Sequence, residues 1–168
     1  MGETLDLSMD AENFGDGEES KLHAAARLNN LDSLVKVISR GIDIDSYNEH
    51  EETALYVAAR HGSNDCIQQL LKSGCLVDKP TIHTRQTALH VASFYGNIEA
   101  IELLLKHGAV IERCDFEKRT PLMVAAFMGH FSVVTYLWKK GALLDSESHE
   151  MSAVHHAVLG NQPKMVRI

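Results

Sequence analysis

One short pattern recurs five times along the chain and limits what the chain can fold into. The copies begin at Ser20, Thr53, Thr87, Thr120 and Ser152, in steps of 33, 34, 33 and 32 residues. A fixed period in this range is typical of a solenoid, in which each unit packs only on its neighbours. We therefore expect a stack of similar units and not one closed core.

Each unit has a part of constant length and a part of variable length. The distance from the opening Ser or Thr to a later glycine is always 21 residues, and the glycines are Gly41, Gly74, Gly108 and Gly141. The steps from these glycines to the next opening residue are 12, 13, 12 and 11 residues. Constant length indicates packed structure, and variable length indicates an exposed connection.

The constant part predicts two helices. The opening Ser or Thr is expected to be the N-cap of the first, and Pro121 follows such a cap. Leucine and alanine then repeat at helical spacing. The glycine column at Gly62, Gly96 and Gly129, which Asn29 and Asn161 share, suits a left-handed C-cap.

The second predicted helix carries an apolar stripe and ends at the later glycine. Trp138 aligns in this stripe with Ile38, Leu71 and Leu105, so we expect it to lie in the core or to cover the end of the stack. The short alternations that follow the glycines predict turns or hairpin-like fingers and not a full sheet.

This arrangement, opened by Thr-(Pro/Ala)-Leu-(His/Tyr/Met)-Val-Ala-(Ala/Ser) in the three central copies, resembles the ankyrin repeat family over residues 20–168. The resemblance implies an all-α solenoid of helix-turn-helix units with projecting β-turn or hairpin-like fingers. It also implies four full units, a partial fifth, and non-catalytic binding of another protein, as an adaptor or scaffold.

The chain departs from the family pattern in two columns. A glycine usually precedes the opening Thr, but the residues here are Glu51, Arg85, Lys118 and Glu150. Either these turns are less demanding, or non-glycine residues bear some strain. The usual histidine is present at His23, His90 and His155 but is replaced by Tyr56 and Met123. Its hydrogen bonds are therefore expected to be missing in the second and fourth units.

The net charge of −7 is located in the first 19 residues, which have seven acidic residues and no Lys or Arg. We expect residues 1–19 to be a disordered tail, followed by a repeat domain over 20–168. The repeat domain has 16 acidic and 16 basic residues, so nucleic acid is not the expected partner.

The three cysteines lack C-x-x-C spacing, and no signal peptide or membrane-length apolar stretch occurs. The chain is therefore expected in the cytoplasm, with the nucleus as the alternative, and no membrane partner is expected. No phosphate-loop, dinucleotide, nucleophile-elbow or zinc-protease motif occurs. We expect no enzyme activity, no metal and no cofactor.

The fifth unit stops at Ile168, before its second helix is complete. This predicts either that the chain belongs to a longer protein, with further repeats or a C-terminal domain, or that its end frays or pairs. The other classes of function that remain open are a substrate-recruiting arm of a larger enzyme, such as a ubiquitin ligase, and a small stoichiometric inhibitor.

In an ankyrin-like stack the first helices line a concave face, and the fingers project from its edge. Two residues near the end of each first helix are not expected to pack in the core, so they can contact a partner. The expected protein-binding residues at these positions are Arg60, His61, Phe94, Tyr95, Phe127 and Met128. Arg60 and His61 would supply a polar or anion-accepting rim. In the fingers, the expected contact residues are Ile82 and Phe116.

Overall fold

The computed structural model describes residues 17–144, which form eight helices. They are α1 (Glu18–Arg27), α2 (Leu31–Ile38), α3 (Ala54–His61), α4 (Asn64–Lys72), α5 (Ala88–Tyr95), α6 (Ile98–Lys106), α7 (Pro121–Met128) and α8 (Phe131–Lys139). These residues contain no strand, only one antiparallel bridge between Tyr47 and Thr53. The all-α solenoid with turn-like fingers is therefore confirmed. Of the predicted tail over 1–19, residues 1–16 lie outside the described residues, as does the fifth unit. Glu18 and Glu19 belong to α1, so the first helix begins earlier than predicted.

The helices form two layers. The first helices α1, α3, α5 and α7 contact one another in chain order, and each packs on the second helix of its own unit. The second helices α2, α4 and α6 also contact in order, but less extensively than the first helices do. Small alanines of the first helices are buried between neighbouring helices. We call the layer of first helices, which the resemblance predicts to be the concave side, the inner layer or inner face.

Three of the predicted N-caps, Thr53, Thr87 and Thr120, are confirmed, and one is wrong. The hydroxyl of Thr53 accepts from the N–H of Tyr56, and that of Thr120 accepts from the N–H of Met123. Ser20 is not a cap, because α1 begins at Glu18 with Gly17 as its N-cap. The N–H of Ser20 donates to the Gly17 carbonyl at 3.1 Å, so its backbone already belongs to the first turn.

The core consists of the repeated leucines and alanines. Leu22, Leu55, Leu89 and Leu122 occupy one column of the first helices, and all are buried. Trp138 does not follow the prediction, because its side chain is 51% exposed. Ile38 and Leu105 in its column are only half-buried, and the longer indole extends beyond what the neighbouring helices cover.

Finger carboxylates join each unit to the next. Both carboxylate oxygens of Asp45 accept from the N–H of Leu76, at 3.0 and 3.2 Å. Asp78 accepts in the same way from Val110, at 3.2 and 3.1 Å, and Glu112 accepts from the N–H of Leu143 at 3.0 Å. A repeated hydrogen bond thus fixes the register between successive fingers.

The histidine column forms a second set of links between units. Nε2 of His23 bonds the carbonyl of Glu52 at 3.0 Å, and Nε2 of His90 bonds the carbonyl of Arg119 at 3.1 Å. The expected loss of this link in the second unit is wrong. There the hydroxyl of Tyr56 donates to the side-chain oxygen of Gln86 at 3.1 Å, so the longer phenol still reaches the third unit.

Candidate functional site

The inner patch consists of Phe94, Tyr95, Phe127 and Met128 at the ends of α5 and α7. Phe94 is 37% exposed, Tyr95 51% and Phe127 39%, whereas Met128 is half-buried. The rings of Phe94 and Tyr95 meet edge to face with their centroids 5.0 Å apart. Since α5 and α7 are neighbours, the structure brings these predicted binding residues together on the inner layer.

The exposure of these aromatics follows from their place in the helix. Ala92 and Ser93 in α5 and Ala125 and Ala126 in α7 are buried between helices. The next two residues of each helix come after the packed face and before the left-handed glycine that ends it. They lie outside the fully buried core, and a cluster of exposed apolar residues is typical of a binding surface.

A third set of links between units fixes the backbone beneath the patch. Nε2 of His130 donates to the carbonyl of Phe94 at 2.8 Å, and Nδ2 of Asn97 donates to the carbonyl of Arg60 at 3.1 Å. Both acceptors lie in the last turn of a first helix, where carbonyls have no partner within the helix. Each unit thereby holds the end of the preceding unit's first helix in place.

Arg60 and His61, predicted as a polar or anion-accepting rim, lie in the unit before the patch. The Arg60 guanidinium pairs with the buried Glu52 carboxylate and lies 5.3 Å from the centre of the Tyr56 ring. Its charge is thus already balanced. His61 is exposed. Burial and the nearby Arg60 and Arg27 lower the His61 pKa, so it is mainly neutral at pH 7. An anion-accepting rim is therefore not favoured here.

The same two residues help to line a cleft of about 460 Å³ between the first and second units. Its wall also includes His23, Asn48 and Glu52. Tyr56, on the same helix as Arg60 and His61, is buried. Burial, followed by the charge of Tyr95, raises its pKa to about 12. The cleft is polar, whereas the inner patch in the third and fourth units is apolar.

Each finger is held by one polar side chain. Oδ1 of Asn48 accepts from the N–H groups of His50 and Glu52, both at 2.9 Å. Oδ1 of Asp115 accepts in the same way from Glu117 and Arg119, at 2.9 Å each. Such Asx turns fix the tip of a loop without any regular secondary structure.

The missing glycines have a structural consequence at the finger tips. Glu51, Arg85 and Lys118 have positive φ angles of 59°, 55° and 59°. This left-handed region is unfavourable for residues with a Cβ atom. Of the two possibilities that the sequence left open, the structure shows the second, in which non-glycine residues carry strain.

We call Ile82, Arg85, Phe116 and Lys118 the finger-tip patch. Ile82 is 53% exposed and Phe116 is 72% exposed, as predicted for contact residues. The N–H of Phe116 donates to the carbonyl of Thr84 at 2.9 Å, which joins the tips of the second and third fingers. Arg85 and Lys118 occupy the column in which the sequence lacks the usual glycine.

Two kinds of reactive site can be checked within residues 17–144, a metal cluster and an activated thiol. No group of three or more His, Cys, Asp or Glu residues is placed to hold a metal ion. Burial raises the pKa of the Cys66 thiol to about 11, and the thiol donates to the carbonyl of Ala25 and not to His61. A protonated thiol is a poor nucleophile. The described helices are also too short or too polar to cross a membrane.

Comparison with known families agrees with this geometry. A model of ankyrin repeats in three copies matches residues 22–115 and 110–168. Ankyrin repeats are generally protein–protein interaction modules, and the family is generally non-catalytic. No curated protein matches the chain significantly. Since the family match spans most of the sequence and the helices stack unit by unit, the chain belongs to the ankyrin repeat family.

Proposed function

We propose that this protein is an adaptor or scaffold that binds a partner protein on its inner face, with the fingers as a second contact. The observation that carries the proposal is the inner patch. Phe94, Tyr95 and Phe127 lie on neighbouring helices outside the buried core, and each has more than a third of its surface exposed. Large aromatic residues of this kind are enriched at the centres of protein interfaces.

The mechanism is preorganisation. The helices beneath the patch are packed along their length, and the Phe94 carbonyl is held by His130. A surface that is already ordered loses little conformational entropy when a partner binds, so more of the contact energy becomes affinity. The finger carboxylates Asp45, Asp78 and Glu112 hold successive fingers in register in the same way.

The test is the double variant Phe94→Ala/Phe127→Ala, with folding checked by circular dichroism. Partners are captured from cell extract with the wild-type chain, identified by mass spectrometry and then measured as purified proteins. We expect the affinity of a true partner to fall at least about tenfold, because truncation of a central aromatic typically costs 1 kcal/mol or more and two are removed.

Trp138→Ala supplies the matched control. Trp138 is an aromatic residue with 51% exposure, but it lies on α8 in the second-helix layer. This variant should bind as the wild type does. A purified partner that binds the double variant and the wild type equally would show that the inner patch is not the contact surface.

A further inference from the structure

The finger tips have charged side chains where the backbone favours glycine. At seven other positive-φ positions the chain has glycine, so it uses glycine where the backbone demands a left-handed residue. Arg85 and Lys118 are exceptions with φ of 55° and 59°. Strain retained in an exposed turn indicates that the side chain has a use.

The contacts of the side chain differ among the three residues of this column, Glu51, Arg85 and Lys118. Glu51, the first member, pairs with Nε2 of His83 in the next finger at 2.8 Å, so its side chain has a structural contact. Arg85 and Lys118 are exposed, and neither side chain makes a hydrogen bond or an ion pair within residues 17–144. Their charges are therefore not explained by contacts inside the described fold.

Nearby carboxylates do not neutralise these two cations. Asp115 and Glu117 both bind Arg119, each at 2.8 Å. This third cation satisfies the two acidic groups of the finger tip. The tips of the second and third fingers therefore present Arg85 and Lys118 as cations that no described carboxylate contacts.

Apolar side chains lie beside these charges. Phe116 has the largest exposed fraction among the large apolar residues, 72%, and its N–H is bonded to Thr84, the residue before Arg85. Ile82, 53% exposed, belongs to the same turn as Thr84. The finger-tip patch thus combines two apolar side chains with two cations on a backbone that hydrogen bonds hold in place.

We propose that the finger-tip patch docks a segment of a partner protein that carries acidic residues next to an aromatic or aliphatic side chain. Carboxylates would meet Arg85 and Lys118, and the apolar side chain would cover Phe116 and Ile82. This inference rests on the proposed function and specifies the chemistry of the partner at the fingers. A nucleic acid fits less well, because the Glu117 carboxylate is exposed at the same tip and would face its phosphates.

The first test separates strain from folding. In Arg85→Gly/Lys118→Gly the backbone strain is relieved, so we expect the melting temperature to stay equal or to rise by about 2–4 °C. Glu51→Gly is the matched control, since it removes a residue of the same column and leaves both cations. A clear drop in the melting temperature of the double variant would contradict the strain argument and overturn the proposal.

The second test measures recognition with a defined probe, a phage-displayed library of random 16-residue peptides selected on the folded chain. We expect enriched peptides that combine Asp or Glu with an aromatic or aliphatic residue. Their affinity for Arg85→Gly/Lys118→Gly should fall at least about fivefold at low salt, and this difference should shrink in 0.5 M salt. Phe116→Ala should lower the affinity of these peptides by about tenfold. Glu51→Gly should leave their affinity unchanged.

Every other outcome is decisive. If the enriched peptides respond only to Phe94→Ala/Phe127→Ala, the finger-tip proposal fails and the inner-face function stands. Peptides without acidic enrichment, or no enrichment at all, also overturn the finger-tip proposal. A single-stranded oligonucleotide of 16 thymidines is the probe for nucleic acid. If this oligonucleotide binds, and if Arg85→Gly/Lys118→Gly weakens its binding more than it weakens peptide binding, the finger-tip patch is a nucleic-acid contact instead.

Discussion

Nε2 of His90 donates a hydrogen bond to the carbonyl oxygen of Arg119, 3.1 Å away across the boundary between the third and fourth units. Nδ1 of the same ring accepts from the N–H of Thr87 at 3.2 Å. A backbone N–H can only donate, so Nδ1 is unprotonated and His90 is held as one neutral tautomer. Burial, the largest influence, lowers its pKa from the usual 6.5, which agrees with this assignment.

The first prediction concerns the pH dependence of stability. Well above pH 6.5, His90 is neutral in both the folded and the unfolded states, and its contribution to stability is complete. As the pH falls below 6.5, the unfolded chain takes up the proton more readily, so the free energy of unfolding decreases. Protonation in the folded state would also remove the acceptor of the Thr87 N–H.

His90→Met isolates this contribution, because Met123 occupies the same column in the fourth unit and is fully buried. At pH 7.5 we expect the variant to lose about 1–3 kcal/mol, since the Arg119 carbonyl and the Thr87 N–H lose their partner. Between pH 6.5 and 5, its stability should fall less steeply than that of the wild type, by at most about 1.4 kcal/mol per pH unit. Urea unfolding over this range measures both, and equal slopes would contradict the assignment.

The second prediction is a stabilising substitution. Ser93 is fully buried in α5, and its hydroxyl has no hydrogen-bond partner among the described residues. Ala59 and Ala126 occupy the same column in the neighbouring units, and both are buried. We expect Ser93→Ala to raise the free energy of unfolding by about 1 kcal/mol in urea titration, because a desolvated hydroxyl is removed and alanine favours the helix. The reverse change Ala126→Ser should lower it by a similar amount.

The third prediction compares two glycines. Both Gly96 and Gly74 have positive φ, at 76° and 84°. A Cβ atom on Gly96 would lie 2.9 Å from Nδ1 of His130, whereas one on Gly74 would have nothing within 4 Å. Gly74→Ala should therefore cost about 1 kcal/mol of backbone strain. Gly96→Ala should cost at least about 2 kcal/mol, because His130 must also move.

Thermal and urea unfolding of the two variants would measure the difference between them. The excess loss in Gly96→Ala reports the contact between the third and fourth units, since the backbone conformation is nearly the same at both positions. Equal losses would mean that His130 moves aside without cost. In that case its bond to the Phe94 carbonyl would not stabilise the inner patch.

The fourth prediction concerns the finger carboxylates. Asp78→Ala removes the acceptor of the Val110 N–H, and we expect a loss of about 0.5–1.5 kcal/mol. Asp78→Asn keeps one side-chain oxygen and should lose less. Hydrogen exchange at the Val110 amide gives the direct readout. Faster exchange in the alanine variant than in the asparagine variant is the expected order, and the reverse order would exclude this acceptor role.

Most of the fold follows from the sequence because it depends on repeated local rules. The Leu and Ala columns have helical spacing, and Gly62, Gly96 and Gly129 end their helices in the left-handed conformation as predicted. Asn29, the expected substitute in that column, also has positive φ, at 52°. The order of the helices and the register of the units could be predicted without knowledge of distant contacts, because each unit packs only on its neighbours in the chain.

The errors arise where a side chain interacts beyond its own unit. Tyr56 keeps a link between units through a hydroxyl that its column does not predict. Trp138 aligns with core residues, but the space available to its indole depends on neighbouring helices. The pairing of Arg60 with Glu52, eight residues earlier, was likewise not visible in the sequence. Such pairings depend on three-dimensional distance, which a column of aligned residues does not contain.

The hydrogen bonds from Leu76 to Asp45, from Val110 to Asp78 and from Leu143 to Glu112 have one further consequence. Every unit involved brings its own acceptor for its successor, and every successor brings its own donor. A gene segment encoding one period could thus be duplicated or deleted in frame, and the new junction would still be complete. This modular chemistry would let evolution change the length of the array without redesigning any boundary.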